Sequence, residues 1–178
     1  MSRGSIVKIT GNGELPEGVK QGDLGYIWDS NPKFGFYNVQ CLTGDHWSSK
    51  EFTEDQLELF NVQSLPGEKE DALMKSFGFT EYSDPYAPAY CKVYEYESKP
   101  TLKVQLHKDP ESENWRVKFY RKAGEHSVPK FFGVHTAQAP EVKDALKIAV
   151  NSPSVLDDAR KYREQRTLSQ IAQKLNAQ

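Results

Sequence analysis

Two neighbouring segments alternate apolar and polar residues with a period of two. In Thr101–His107 the apolar residues are Leu102, Val104 and Leu106, and in Asn114–Lys122 they are Trp115, Val117 and Phe119. That period belongs to a β-strand with one buried face, and Lys108-Asp109-Pro110 supplies turn chemistry between the two. The expected unit is an antiparallel hairpin over a core. Parity then assigns the opposite face, with Lys103, Gln105 and His107 on one strand and Arg116, Lys118, Tyr120 and Lys122 on the other. Lys103, His107, Arg116, Lys118, Tyr120 and Lys122 form a candidate face for an acidic partner or for phosphates. The alternative is a solvated sheet face whose lysines discourage edge pairing.

Around this hairpin the pattern predicts an α+β unit over residues 70–178. Glu70–Phe77 places Leu73 and Phe77 at i, i+4 spacing before Gly78, and Cys91–Glu97 reads as a further strand, with a short one at Lys130–His135. Pro140 opens a helix through about Val150, with Val142, Ala145, Leu146 and Ala149 on one stripe. Ser152-Pro153-Ser154 breaks it, and Val155–Leu175 reads as one long C-terminal helix. Its apolar Leu168, Ile171, Ala172 and Leu175 need cover, from their own sheet or from a second copy of the chain, while Asp157–Arg166 is expected to project.

Residues 1–62 read differently, as short strands at Ser5–Thr10, Asp23–Trp28, Phe36–Leu42, His46–Phe52 and Leu57–Asn61, with a long first loop and a helical turn at Thr53–Gln56. The runs Arg3-Gly4-Ser5-Ile6-Val7-Lys8-Ile9, Gly22-Asp23-Leu24-Gly25-Tyr26-Ile27, Phe36-Tyr37-Asn38-Val39 and Asp55-Gln56-Leu57-Glu58-Leu59 resemble the Src-homology-type small β-barrel, in its KOW-like and photosystem I E-subunit-like versions. The resemblance implies a five-stranded closed barrel, and docking on a larger assembly. The peptide-binding form of such barrels grips polyproline with an acidic loop and paired tyrosines. Glu14 and Glu17 supply the acids here, and the tyrosine pair is missing. Val62–Lys69, containing Pro66-Gly67, makes residues 63–69 a short linker between an SH3-like domain and the α+β domain.

Composition narrows the classes. A mean hydropathy of −0.72 and the lack of an apolar run near the roughly 20 residues of a membrane span argue against a membrane protein. The 12% aromatic content argues against disorder. The net charge is −2, with residues 1–60 at −4 (five Lys/Arg, nine Asp/Glu) and residues 61–178 at +2 (eighteen against sixteen), so neither half has the strong basic excess of a typical nucleic-acid binder. Cys41 and Cys91 read as free thiols of a cytoplasmic protein. The histidines His46, His107, His126 and His135 are scattered, so no metal is expected, and no phosphate-cradling or dinucleotide glycine motif calls for a cofactor. There is no nucleophile elbow, and Asp109, Glu111 and Glu113 crowd one turn. The expectation is a non-enzymatic protein.

Three surfaces stand as binding candidates. Trp28, Phe34, Phe36 and Trp47 flank turns of the first unit, at Asp29–Gly35 and Thr43–Asp45, and suit a protein partner. The basic hairpin face is the nucleic-acid alternative. The loop Thr80–Ala89, with Tyr82, Pro85, Tyr86 and Pro88, is either an interface or a strut between domains. The favoured reading is an adaptor that docks on a larger protein complex through barrel-loop aromatics. An enzyme whose site only the fold assembles stays open.

Overall fold

A computed structural model describes residues 1–42, 47–60, 65–88 and 90–177. The turn expected at Thr43–Asp45, the strand start at His46, residues 61–64 near the expected boundary and Ala89 lie outside the described residues. The chain divides into two compact units, Met1–Ser64 and Leu65–Gln178.

In the first unit, β1 (Ile6–Ile9), β2 (Leu24–Asn31), β3 (Phe36–Cys41), β4 (Lys50–Thr53) and β5 (Leu57–Leu59) make one antiparallel sheet in the order β4-β3-β2-β1-β5. Val7, Ile9, Ile27, Val39, Phe52 and Leu57 form its core. Gly25 is where β2 meets β3 most tightly, since a Cβ there would run into Val39 and stand 2.8 Å from the Gln40 carbonyl. A 3-10 turn at Glu54–Gln56 carries the chain from β4 to β5. From it the Gln56 amide donates to the carbonyls of Asn12 and Glu14, both at 3.1 Å, and ties down the first loop.

The closed barrel is not there. Among the described residues β4 and β5 are edges that do not pair with each other, so the sheet is open. The physical reason is length and polarity at the rim: β5 has three residues, of which Glu58 and Leu59 are exposed, and β4 presents Lys50 and Glu51. Short, charged edge strands limit further pairing without closure. Nothing SH3-like in the sense of a closed barrel survives. The fold is α+β with two open sheets.

The second unit runs α1 (Glu68–Ser76), β6 (Phe79–Tyr82), β7 (Lys92–Tyr96), β8 (Lys99–Lys108), β9 (Trp115–Arg121), β10 (Lys130–Phe131), β11 (Ala137–Ala139), α2 (Val142–Asn151), α3 (Pro153–Lys161) and α4 (Gln165–Asn176). Strands β6 to β9 form an antiparallel meander, and both β10 and β11 pair with the far edge of β9. In the β8–β9 hairpin Val104 lies opposite Phe119 and Leu106 opposite Val117. Leu102, Val104, Leu106, Trp115, Val117 and Phe119 are all buried, in one core with Ala145, Leu146 and Ala149 of α2 and Leu168, Ile171 and Leu175 of α4. The α4 stripe is therefore covered by its own unit, with Ala172 partly buried at its margin.

Two local expectations fail. Helix α2 begins at Val142 because Ala137–Ala139 is drawn into the sheet, Ala139 facing Trp115. The single long C-terminal helix is two helices. Arg163 takes a left-handed backbone (φ 64°), and Glu164, which was expected to project, is fully buried. Its carboxylate accepts from the Thr101 hydroxyl at 2.8 Å and pairs with Lys99 at 3.0 Å, while Arg121 donates to the Tyr162 carbonyl at 2.9 Å. These contacts hold the break and let α4 turn its stripe onto the core.

Candidate functional site

Parity gives the second sheet two unlike faces, and the outer one is not bare. The chain between β6 and β7 folds over it. Asp84 anchors that loop: its carboxylate accepts from Lys122 Nζ at 2.9 Å, from the Tyr120 hydroxyl at 3.3 Å and from the Tyr86 N–H at 3.0 Å. The Asp84 and Lys122 side chains are 4% and 2% exposed, so this is a buried ion pair. Burial alone would raise the Asp84 carboxyl, but the hydrogen bonds from Lys122 and Tyr86 and the Lys122 charge outweigh it and hold it below its ordinary value. Burial and the Asp84 charge push the Tyr120 phenol well up. They also push the Cys91 thiol up to about 12.

A second segment closes the opposite side. The Tyr86 hydroxyl and His126 Nδ1 lie 2.9 Å apart, linking the β6–β7 loop to the one that precedes β10. Phe131 of β10 stands opposite Tyr120 in register, ring centroids 5.0 Å apart, and Tyr90 meets His107 edge-on at 5.0 Å. Between these walls lies a cavity of about 580 Å³, bordered by Tyr86, Tyr90, Tyr120, His126, Val128 and Phe131. A smaller hollow of about 250 Å³ shares Tyr90, Gln105 and Phe131 with it and adds His107, Arg116, Lys118 and Thr136. An aromatic chamber thus adjoins, on the same face, a smaller one whose mostly apolar wall carries the polar groups of Gln105, His107, Arg116, Lys118 and Thr136.

The polar residues of the smaller hollow differ in charge. Burial, reinforced by the Arg116 charge, takes His107 down to about 4, so its imidazole is neutral at pH 7. Lys118 is lowered by burial, opposed by the Asp158 charge, and its ammonium donates to the Gly133 carbonyl at 2.9 Å. Arg116 pairs with Asp109, and its buried Nε has no hydrogen-bond partner among the described residues.

These positions correct the sequence reading of the basic face. Lys103 is buried, bonded to Glu95 at 2.9 Å and set over the Tyr82 ring at 4.1 Å. Lys122 is buried against Asp84, and Tyr120 is 1% exposed. Neither lysine is a free charge for a phosphate backbone, so the hairpin does not offer the continuous basic track that nucleic acid would need. His107, Arg116 and Lys118 do come together, in the smaller hollow. Tyr86 belongs to the loop singled out as a candidate interface, whereas Asp84, Tyr90, His126 and Phe131 were not named as site residues. The density of Tyr and Pro in Thr80–Ala89 was the available signal, and the loop proves to be a wall of its own unit's site.

The proposed aromatic docking surface of the first unit is overturned as well. With no barrel there is no barrel-loop rim. Trp47 is 6% exposed, packed on Phe52 at 5.7 Å with its Nε1 donating to Asp23 at 3.0 Å. Trp28 donates to Ser49, and Phe36 pairs across to Asn31 and Thr53 within the sheet. Trp28 and Phe36 are each 41% exposed and Phe34 71%, at separate positions of the sheet and its turn. The aromatic cluster of this protein lies on the second sheet, not the first.

Among the described residues no group of three or more His, Cys, Asp or Glu is placed to hold a metal, and no helix is long and apolar enough to cross a membrane. Comparison with protein-family models, curated proteins and solved structures finds no match to this chain.

Proposed function

We propose that the second unit is a ligand-binding domain and that the protein is a non-catalytic receptor for a small organic molecule with a flat apolar body. The observation that carries this is the aromatic cavity between the two loops on the outer sheet face, about 580 Å³, within the usual range for small-molecule pockets. Rings from three separate segments converge there: Tyr86 and Tyr90 from the β6–β7 loop, Tyr120 from β9, and Phe131 from β10. Offset or edge-on packing against such rings suits a planar guest. The lining also favours holding over reacting. The Cys91 thiol, next to the loop, is pushed up to about 12 and the Tyr120 phenol well above its ordinary value, so neither supplies a ready nucleophile at pH 7. A reducing, cytoplasmic setting suits two cysteines that are free thiols.

The test is two-dimensional NMR of the full chain titrated with 3-phenylpropionate and its neutral amide, 3-phenylpropionamide. Shifts centred on Tyr86, Tyr90, Gln105 and Phe131, together with roughly tenfold weaker binding in Phe131→Ala, a loss of about 1.4 kcal/mol, are the expected result. If neither compound moves those resonances at millimolar concentration, the ligand-binding reading is wrong.

A further inference from the structure

The smaller hollow carries more information than the large one about what the ligand is, and the inference drawn from it rests on the ligand-binding reading above. We infer that the ligand is a monocarboxylate whose flat apolar body occupies the aromatic chamber and whose carboxylate sits in the smaller hollow between Lys118 and Arg116.

Four features support this. First, the two chambers are adjacent, sharing Tyr90, Gln105 and Phe131 as lining, so one ligand can place a ring in one and a head group in the other. Second, the hollow has unspent donors. The Lys118 ammonium has one hydrogen bond among the described residues, to the Gly133 carbonyl, and so keeps donors for a guest. The Arg116 side chain, 38% exposed, engages Asp109 through one terminal nitrogen and keeps further guanidinium donors. Third, neutral groups complete the shell: Gln105, Thr136 and an imidazole of His107 that burial and Arg116 keep uncharged at pH 7.

The fourth feature is the charge balance, which favours a singly charged head. Lys118 and Arg116 bring two positive charges, and Asp109 takes up one of them through its ion pair with Arg116. Asp158 tempers Lys118 from outside the lining, where its carboxylate accepts the Gly133 N–H at 2.8 Å. A phosphate dianion would bring more charge than this site can neutralise, while a carboxylate matches it. At about 250 Å³ the hollow also has room for a carboxylate with a short stem.

The experiment is calorimetric titration of the full chain with 3-phenylpropionate, 3-phenylpropionamide and 2-phenylethyl phosphate, repeated on Lys118→Met and Lys118→Arg. The carboxylate should bind wild type roughly ten- to a hundredfold more tightly than the amide, the range that a charge-assisted hydrogen bond supports. Lys118→Met should close most of that gap by weakening the carboxylate far more than the amide, and Lys118→Arg should restore most of it. Retained binding of the amide shows that the variant is folded with its aromatic chamber intact. Equal binding of carboxylate and amide to wild type overturns the carboxylate assignment and leaves the ligand-binding reading standing. Tighter binding of the phosphate overturns the choice of head group. No binding of any of the three sinks the underlying reading itself.

Discussion

Asp84 and Lys122 bury opposite charges 2.9 Å apart, and the loop between β6 and β7 hangs on that pair. The prediction is that each charge is tolerated only because of the other. Asp84→Ala leaves an ammonium that is 2% exposed with no anion, and strips the Tyr120 hydroxyl and the Tyr86 N–H of their acceptor. Breaking a buried pair from one side costs about 3–5 kcal/mol. Lys122→Met is the milder lesion, since the Asp84 carboxylate keeps Tyr120 and Tyr86 as donors, and about 2–3 kcal/mol is expected. Asp84→Ala with Lys122→Met removes both charges, and most of the Lys122 share of the loss should return, leaving a coupling of about 2 kcal/mol. A whole domain is stable by only about 5–15 kcal/mol, so these are large fractions of it. The assay is urea unfolding followed by 19F NMR of fluorinated tryptophan at Trp115, which reports on the second unit while Trp28 and Trp47 report on the first. Single variants that each lose under about 1 kcal/mol, with losses that simply add in the double variant, would show a solvated pair of the ordinary surface kind and refute the reasoning.

Three further outcomes are expected. Because His107 is lowered to about 4 in the folded chain and unfolded histidine titrates near 6.5, the unfolded state binds the extra proton first as pH falls. Second-unit stability should therefore drop by up to about 3 kcal/mol between roughly pH 6.5 and pH 4, and His107→Gln should flatten that window in pH-dependent melts. Asp71 and Asp84 have lowered pKa values, so the stability they confer is present above the ordinary carboxylate range and goes only as pH falls through their depressed values, below the His107 window. Glu164→Ala should cost about 3 kcal/mol by orphaning Lys99, Thr101 and Arg121, with Glu164→Gln milder; a thermal midpoint within a degree of wild type would count against a structural role for this carboxylate. Deleting Thr167–Gln178 removes fully buried Leu168, Ile171 and Leu175, each side chain contributing roughly 1.5–3 kcal/mol, so the second unit's amide resonances should collapse to the unfolded range while those of the first unit persist.

Local periodicity carried its information faithfully. The alternation of Leu102, Val104 and Leu106 against Trp115, Val117 and Phe119 determines which side of the hairpin is buried, because strand geometry ties side-chain direction to residue parity. The α4 stripe likewise marks its own buried face through Leu168, Ile171 and Leu175. What covers the other side of the hairpin could not be read that way. Asp84 meets Tyr120 and Lys122 across 36 and 38 residues of chain, and no period or spacing links an acid in a tyrosine-rich loop to a lysine at a strand end. Lys103 and Lys122 therefore read as exposed charge in sequence; Lys103 is buried by Glu95 of the neighbouring strand and the Tyr82 ring, and Lys122 by Asp84 once the loop is in place. Closure of the first sheet is non-local for the same reason: five strands can be counted along the chain, but whether the edges β4 and β5 meet depends on lengths and backbone paths that only the folded unit sets. The break at Arg163 belongs with these, since a helical pattern runs through it and the buried Glu164 carboxylate meets Lys99, Thr101 and Arg121 only once the sheet is formed.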